Sequence, residues 1–269
     1  QAMAGAAAGS NNWVAGPSRT ATRRPLLAND PHLSAVMPTL WYEQHVEVKD
    51  GSLRVAGAAF PGAPGVVTGH NQHIGWGITA GRADTQDLFV EQRHPEQPTW
   101  FRHAGEWEAA QVRQERIAVR GQAQPHLEEV IITRHGPLIN GLLPPAPPGG
   151  DHDAADLPLL ALCWSGHWPG RSLGGLLRLQ KAHDWPSFRA ALAEVAEPSL
   201  NIVYADIAGN IGYQYVGRVP LRRAGFGLTP APGWEDSHEW QGWLPFDELP
   251  SAFNPPSGYA LSANNKPAP

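Results

Sequence analysis

The sequence predicts an α+β fold, in which helices pack on antiparallel sheets. Gly and Pro are frequent, with 29 and 27 residues in a chain of 269, and they divide it into short pieces that favour strands and loops. Many strands come first, a pair of helices is predicted at 172–182 and 185–196, and more strands follow. This order of elements is typical of the α+β class.

The first half of the chain is predicted to be mostly strands. Residues 1–9, QAMAGAAAG, are small and of low complexity, which indicates the end of a linker. Two short strands are predicted between Asn12 and Leu27, and an ANDPHL loop restrained by Pro31 follows them. Apolar, β-branched and aromatic residues then indicate further strands at 40–48, 53–60 and 65–69, and a hairpin turning at Ala104–Gly105.

The second half carries the helix pair. Residues 143–156, LLPPAPPGGDHDAA, are the best candidate for an internal boundary, but a long surface loop is favoured because strands resume after them. Asp184 is predicted to cap the second helix, whose buried side would carry Phe188, Leu192 and Val195. A β-hairpin with IAGN as its turn follows. We therefore expect residues 10–269 to form one domain.

Composition and charge argue against several classes of function. The net charge is −5, and the sequence predicts no concentrated basic surface of the kind that binds phosphates. Nucleic acid is therefore not an expected partner. The longest apolar run, LPLLALCW, is far shorter than the roughly 18 residues that span a bilayer, so no membrane segment is expected. Cys163 is the only cysteine, which excludes an intrachain disulfide, and its apolar neighbours indicate a buried, inert thiol.

Most polar motifs have an ordinary structural interpretation. Asp236, His238 and Glu239 lack paired ligand spacing and are predicted to lie in a solvated loop. No GxSxG, phosphate-loop or HExxH motif is present. A Ser-His-Asp triad stays open, because such triads are recognised by geometry and not by sequence position. Three histidines are predicted to be hydrogen-bonded structural residues: His70, His73 and His135.

Ser10 is different because of its neighbours. A serine hydroxyl is a weak nucleophile unless a base removes its proton, and a serine's own free α-amine, with a pKa of about 7.7–8.0, is such a base. That amine becomes free only if the Gly9–Ser10 bond is cut. Gly9 favours the cut, because it has no side chain to block attack and it tolerates strained backbone. On these residues alone, a plain linker serine is the other interpretation.

Six sequence blocks, in order, resemble one family. GSNNWVAGPSRTATRRPLLANDPHL is similar to the self-cleavage junction of the penicillin acylase family of N-terminal-nucleophile hydrolases. The later blocks are PGAPGVVTGHNQHIGWGITAGRADTQDLFVE, RHGPLI, PSLNIVYADIAGNIGYQ, GWLPFDELP and NPPSGYALSANNKP. The resemblance implies an αββα sandwich, which could be incomplete here. It also implies hydrolysis of the side-chain amide of a small N-acyl compound, such as a β-lactam antibiotic.

The resemblance implies roles for individual residues. Ser10 matches the catalytic serine that autocatalytic cleavage of a zymogen exposes. Ala80 matches a backbone N–H donor, and Asn264 a side-chain donor, to the oxyanion of the tetrahedral intermediate. His32 stands where members carry Gln or His and is expected to contact the nucleophile. A histidine there favours cephalosporin or acyl-homoserine-lactone substrates, while aryl-acetyl, glutaryl and aliphatic acyl groups all stay open.

Other positions are implied in binding. Asp84 and Asp87, with the carbonyl of Gln86, match positions that hold a structural Ca²⁺ in several members. Asn201 matches a position near the site. No cofactor is expected for catalysis itself. The acyl pocket of the family is apolar, and its candidate lining residues here are Trp41, Phe60 and Trp76.

The expected partners, besides the small N-acyl substrate, are parts of the parent enzyme. Members have a separate α subunit and a longer β subunit, so both are implied as missing. The chain begins with Gln, which indicates a processed or excised piece. With the Gly9–Ser10 bond intact we expect it to be inactive or precursor-like. Family habit implies a periplasmic or extracellular location. Two rivals stay open: a non-catalytic β-rich ligand-binding domain, and a serine hydrolase with a conventional histidine base.

Overall fold

The computed structural model describes residues 9–63, 65–143 and 157–265. Mostly antiparallel strands and a pair of helices give an α+β fold, as predicted. The chain divides into two compact units that alternate along it. The first unit comprises residues 1–83, 168–218 and 244–269, and the second comprises residues 84–167 and 219–243. The predicted linker before Gly9 and almost all of the 143–156 loop lie outside the described residues.

A seven-stranded antiparallel sheet forms the centre of the first unit. In chain order its strands are β3 (Tyr42–Glu47), β4 (Arg54–Ala59), β5 (Thr68–Asn71), β6 (Ile74–Ala80), β14 (Leu200–Asp206), β15 (Ile211–Val216) and β19 (Ser251–Phe253). Across the sheet the order is β19-β15-β14-β6-β5-β4-β3. The predicted hairpin around IAGN is confirmed as β14 and β15, whereas β5 begins three residues later than predicted.

A three-stranded antiparallel sheet packs on one face of this large sheet. Its strands are β1 (Gly9–Ala15), β2 (Leu26–His32) and β20 (Tyr259–Ser262), with β1 in the middle. Val14 of the small sheet packs with Val203 and Ile211 of the large one. The predicted ANDPHL loop is wrong, because these residues continue β2. Pro31 is accommodated because β2 is an edge strand of the small sheet, where one side need not pair.

The helices α1 (Ser172–Leu179) and α2 (Trp185–Leu192) pack on the opposite face of the large sheet. Both end three to four residues earlier than predicted. Leu179 and Phe188 pack there with Trp76, Ile202 and Tyr204 of the sheet. Within the described residues, the first unit thus has a helix–sheet–sheet order of layers. Neither of these helices is long and apolar enough to cross a membrane.

The capping residues seen in the sequence correctly predict where α2 begins. The Asp184 side chain accepts a hydrogen bond from the backbone N–H of Ser187 at 2.8 Å, and Ser187 bonds back to the Asp184 N–H, which forms a capping box. Pro186 lies in the first turn, where it is tolerated. The predicted buried stripe is confirmed, since Phe188, Leu192 and Val195 are all buried.

The second unit is built from small sheets. Its strands are β7 (Gln86–Glu91), β8 (Trp100–His103), β9 (Glu106–Ala109), β10 (Gln111–Ile117), β11 (His126–Thr133), β12 (Gly136–Pro137), β13 (Leu159–Trp164), β16 (Pro220–Arg222), β17 (Ala231–Pro232) and β18 (Trp240–Trp243). The predicted hairpin at Ala104–Gly105 is confirmed between β8 and β9, with positive φ at both turn residues. Cys163 packs with Phe89 and Ala161, and burial raises the pKa of its thiol to about 12.

Candidate active site

The register of the small sheet decides which residues surround Ser10. On one side β1 pairs with β2, so that Ser10 lies opposite Pro31 and Gly9 lies opposite His32. On the other side Asn12 pairs with Ser262 of β20. The strands are antiparallel, so two further residues along each chain bring Asn264 level with Ser10. A contact between residues 254 positions apart thus follows from strand pairing.

Asn264 contacts both reactive atoms of Ser10. Its Oδ1 accepts the Ser10 N–H at 2.5 Å and lies 3.3 Å from Ser10 Oγ, while its Nδ2 donates to Ser10 Oγ at 3.0 Å. Nδ2 also donates to the carbonyl of Ala80 at 3.1 Å. Asn264 is 8% exposed and has a φ of +61°, a left-handed conformation that Asn adopts more readily than most residues. One buried carboxamide therefore joins Ser10 to the end of β6.

Ala80 ends β6, and its backbone faces away from β14. The N–H of Gly81 bonds to the carbonyl of Ser199 at 2.9 Å, which makes the next pair, Ala80 and Leu200, a non-hydrogen-bonded one. Both polar backbone groups of Ala80 therefore turn to the side on which Asn264 donates to its carbonyl. The N–H and the carbonyl of one residue in an extended strand point to the same side, so we expect the Ala80 N–H on the side of the Asn264 amide, where the two would be paired donors to one oxyanion.

A buried polar network holds this corner together. Asn201 Nδ2 donates to the Ala80 carbonyl at 2.9 Å and to Thr79 Oγ1 at 3.1 Å. Tyr213 donates its hydroxyl proton to Asn201 Oδ1 at 2.6 Å, and burial raises the pKa of Tyr213, so the hydroxyl keeps that proton. Thr79 Oγ1 lies 2.9 Å from Ser262 Oγ, which ties β6 to β20. The network fixes Ala80 and the approach to Asn264.

Asn12 belongs to the same layer and was missed by the sequence reasoning. It is buried, and its Nδ2 donates to the carbonyls of Gly77 and Asn201 at 3.0 and 3.1 Å. Asn12 alternates with Val14 on the inward side of β1. A polar residue at an inward strand position was the signal that could have identified it, because buried amides need partners.

His32 lies beside Gly9 and bonds to a carboxylate. Its Nε2 is 2.9 Å from Asp30 Oδ2, and both side chains are exposed. Its Nδ1 lies 3.8 Å from the position that a Gly9 side chain would occupy. Among the described residues, no hydrogen bond joins His32 to Ser10. The histidine is therefore next to the Gly9–Ser10 bond, while its expected contact with the nucleophile stays a prediction.

The three candidate substrate-binding aromatics have different environments. Trp76 is completely buried in the core against the helices, and its Nε1 donates to the Val67 carbonyl at 2.9 Å. Trp41 and Phe60 stack on each other with ring centroids 4.4 Å apart at the edge of that core. Trp76 thus has a structural contact that explains it, and its role as a substrate contact stays a prediction together with those of Trp41 and Phe60.

The carboxylates of Asp84 and Asp87, the predicted calcium ligands, lie beside the guanidinium of Arg222. Arg222 donates to both carboxylate oxygens of Asp87 at 2.8 Å, and its guanidinium lies 3.6 Å from Asp84 Oδ2. Asp87 also accepts the indole N–H of Trp240, while Gln86 is exposed. A guanidinium already neutralises the carboxylates, so these residues do not fit a bound cation as they are arranged. The calcium site stays a prediction.

The geometry gives Ser10 the surroundings that acyl transfer needs. The nitrogen and hydroxyl of one serine lie within hydrogen-bond distance of one amide side chain, which also donates to the Ala80 carbonyl. A carbonyl carbon next to Ser10 Oγ would have its oxygen near the Asn264 Nδ2, which could exchange one of these bonds for the charge that develops there. Ser10, Ala80, Asn264 and Asn201 are brought together, and His32 lies at the edge of the group.

Comparison with known proteins gives a consistent result. The sequence profile of the penicillin amidase family matches residues 1–269. The acyl-homoserine lactone acylase QuiP of Pseudomonas aeruginosa is 35% identical over 98% of this chain. Penicillin acylase 2 proenzyme of Pseudomonas sp. strain SE83 is 34% identical, and penicillin G acylase of Escherichia coli is 32% identical. The chain spans only 30–32% of the length of these relatives.

A solved structure shares the fold. Thermostable penicillin G acylase from Alcaligenes faecalis superimposes with a TM-score of 0.82 at 32% sequence identity. The similarity covers 96% of this chain and 44% of that chain.

Proposed function

Because the chain belongs to the penicillin amidase family, we propose that it carries the nucleophile and the oxyanion donors of an N-terminal-nucleophile amide hydrolase. The observation that supports this function is the contact of Asn264 with both Ser10 N and Ser10 Oγ, beside the Ala80 backbone. The names of the relatives support the same reaction class, since each is an acylase.

The first step is cleavage of the chain at Gly9–Ser10. Ser10 Oγ attacks the carbonyl carbon of Gly9, the C–N bond breaks, and the proton of Oγ passes to the Ser10 nitrogen. Water then hydrolyses the ester, which leaves a carboxylate on Gly9 and a free amine on Ser10. Gly9 and Ser10 are consecutive residues of β1, so here the Ser10 nitrogen is an amide that cannot act as a base. The chain in this state is therefore a precursor.

Turnover uses the same groups after cleavage. The free amine of Ser10 accepts the proton of Oγ, through water, as Oγ attacks the amide of the substrate. The Ala80 N–H and the Asn264 side chain hold the oxyanion, and each such donor contributes about 2.7–4 kcal/mol to the rate. The leaving amine takes the proton, and water hydrolyses the acyl ester. His32 orients the hydroxyl.

The proposed substrates are small N-acyl compounds, of the β-lactam or acyl-homoserine-lactone type. His32 favours cephalosporin or acyl-homoserine-lactone amides, and the relative with 35% identity is named for acyl-homoserine lactones. Trp41 and Phe60 are the proposed contacts for the acyl group. The full activity needs the parts of the relatives that this chain does not span, and we propose a periplasmic or extracellular location.

Intact-mass spectrometry tests the proposal. The purified chain is incubated, and we expect a new species beginning at Ser10, which the Ser10→Ala variant does not form. Ser34→Ala, an exposed serine beyond β2, is the matched control and should be cleaved like the parent. Turnover of an acyl-homoserine lactone and of a phenylacetyl amide is measured on the cleaved species. Equal formation of that species by the Ser10→Ala variant would show the proposal to be wrong.

The two rivals have weaker support. A binding module without chemistry predicted Ser10 far from Asn264, but the two residues are hydrogen-bonded. A conventional serine hydrolase predicted a serine, a histidine and a carboxylate within hydrogen-bond distance of one another. His32 and Asp30 form such a pair, but no hydrogen bond to Ser10 completes it among the described residues. Amide turnover by an uncut chain would favour this second rival.

A further inference from the structure

We propose that His103, His135 and Glu239, in the second unit, form a binding site for a divalent transition metal of the zinc class. The three residues come from the end of β8, the turn between β11 and β12, and the residue before β18. Each presents one ligand atom, and these atoms lie within 4.8 Å of one another. The site is separate from the chemistry of Ser10.

The sequence reasoning placed Glu239 in a solvated loop, and that prediction is wrong. The Glu239 side chain is 27% exposed, and its Oε1 lies 2.9 Å from His135 Nε2 and 3.9 Å from His103 Nδ1. Two ligands of a tetrahedral zinc ion, each about 2.05 Å from it, lie about 3.3 Å apart. Glu239 is therefore already near ligand distance of both rings, and small side-chain rotations would close the site.

The outer nitrogen of each ring is held by a carboxylate, and this is the observation that favours a metal. His135 Nδ1 lies 2.9 Å from Glu91 Oε1, and His103 Nε2 lies 2.8 Å from Asp236 Oδ1. Histidines that ligate a metal almost always donate their other N–H to a carboxylate, a carbonyl or water, which fixes the tautomer. Here two neighbouring histidines both do so. The remaining nitrogen of His135 lies 2.9 Å from Glu239 Oε1, and that of His103 lies 3.1 Å from the Gly233 carbonyl and 3.9 Å from Glu239 Oε1.

The rings are also rigidly held. Both histidines are buried, and His135 stacks on Phe89 with centroids 4.0 Å apart and an angle of 7°. Thr133 donates to Glu91 at 2.6 Å, which orients that carboxylate in turn. A preorganised pair of imidazoles loses little freedom when an ion binds. The Gly233 carbonyl, 3.1 Å from His103 Nδ1, offers a fourth ligand besides water.

Charge and access are compatible with a divalent ion. The cluster has three carboxylates, from Glu91, Asp236 and Glu239. Arg134 Nε lies 3.6 Å from Glu239, and Arg223 donates to the Asp236 backbone carbonyl at 3.4 Å. Arg134 also donates to Glu108 at 2.8 Å, so it keeps a partner if the ion takes Glu239. A cavity of about 230 Å³ lined by Glu91, His103 and Arg134 gives solvent a path to the cluster. A bound ion would tie the 233–239 segment to β8 and the β11–β12 turn.

Zinc retention by the whole chain tests the site. The chain is dialysed against Zn²⁺ and then against metal-free buffer, and we expect one zinc per chain by elemental analysis. Co²⁺ should give the intense visible bands of a tetrahedral ion. His103→Asn should abolish both signals. Asp236→Asn, which removes only the outer carboxylate, should weaken zinc binding about 10- to 100-fold. His238→Asn is the matched control. His238 is adjacent to Glu239 in the sequence but lies outside the cluster, so this variant should bind zinc like the parent.

Each outcome decides the proposal. Circular dichroism checks that each variant is folded. If His103→Asn is not folded, the comparison of zinc retention between the parent and the surface variant Asp236→Asn tests the proposal. Retention that follows His103 and Asp236 but not His238 supports the site. No retained zinc, or zinc retained equally by all variants, overturns it.

Discussion

Replacing Asn264 with alanine should separate the catalytic role that we propose for this residue from its structural role. The side chain bonds to Ser10 N, Ser10 Oγ and the Ala80 carbonyl. A hydrogen bond contributes about 0.5–1.5 kcal/mol to stability, but Ser10 is only half-buried and the Ala80 carbonyl keeps its bond from Asn201. We therefore expect a loss of about 1–2 kcal/mol in the free energy of unfolding.

The expected loss of activity is larger than the loss of stability. Removal of one oxyanion donor costs about 10²- to 10³-fold in rate, or 2.7–4 kcal/mol. The assays are urea unfolding followed by tryptophan fluorescence, the rate at which the species beginning at Ser10 forms, and amide turnover. Asn265→Ala, the exposed neighbour, is the matched control and should change none of them.

An isosteric variant sharpens the test. Asn264→Asp keeps an oxygen to accept the Ser10 N–H but removes the Nδ2 donor and places a negative charge beside the developing oxyanion. It should fold at neutral pH and be at least as inactive as Asn264→Ala. If either variant turns over amides within a factor of three of the parent, the oxyanion role that we infer for Asn264 is wrong.

Three further predictions concern stability and reactivity. Phe188→Ala in the core should lower the free energy of unfolding by about 3–5 kcal/mol in urea, while the exposed Phe226→Ala should change it by less than about 0.5 kcal/mol. Gly57→Ala should cost about 1–3 kcal/mol, because its Cβ would lie 2.2 Å from a carbonyl oxygen of β5. Gly141→Ala, whose Cβ would have no atom of the described residues within 4 Å, should be neutral. Native Cys163 should react with a thiol reagent about a thousandfold more slowly than in the unfolded chain, because burial raises its pKa from 9.0 to about 12; equal rates would contradict the buried state.

Local features of the fold could be predicted because their signals are local. The cap at Asp184 depends on Ser187 three residues later, and the hairpin at Ala104–Gly105 depends on residues that adopt positive φ. The end of β2 could not be predicted in this way. Pro31 favours a loop in most contexts, and only the pairing with Ser10 on an edge strand explains why the strand continues.

The candidate sites depend on long-range pairing, which sequence spacing does not reveal. Ser10 and Asn264 could be linked only through the resemblance to a family, because no local pattern connects residues 254 positions apart. His135 and Glu239 are 104 positions apart, and without the fold each has an ordinary interpretation. Burial also changes which contacts a carboxylate requires. A carboxylate inside a unit needs a hydrogen-bond or ion-pair partner, whereas a solvated carboxylate does not.

In the mechanism that we propose, the position of Ser10 in the middle strand links self-cleavage to turnover. Successive side chains of a strand face opposite sides, so a shift of β1 by one residue would turn the Ser10 hydroxyl to the outward, exposed face of the strand and bring Gly9 or Asn11 level with Asn264. Buried Val14 and Asn12, on the inward side of the same strand, prevent that shift through the core contact with Val203 and the bonds to Gly77 and Asn201. The residues that hold β1 in register before the chain is cut are therefore the same ones that hold the nucleophile against its donors afterwards. The cut removes the tether at Gly9 but none of these contacts, so the site can be complete before the amine is freed.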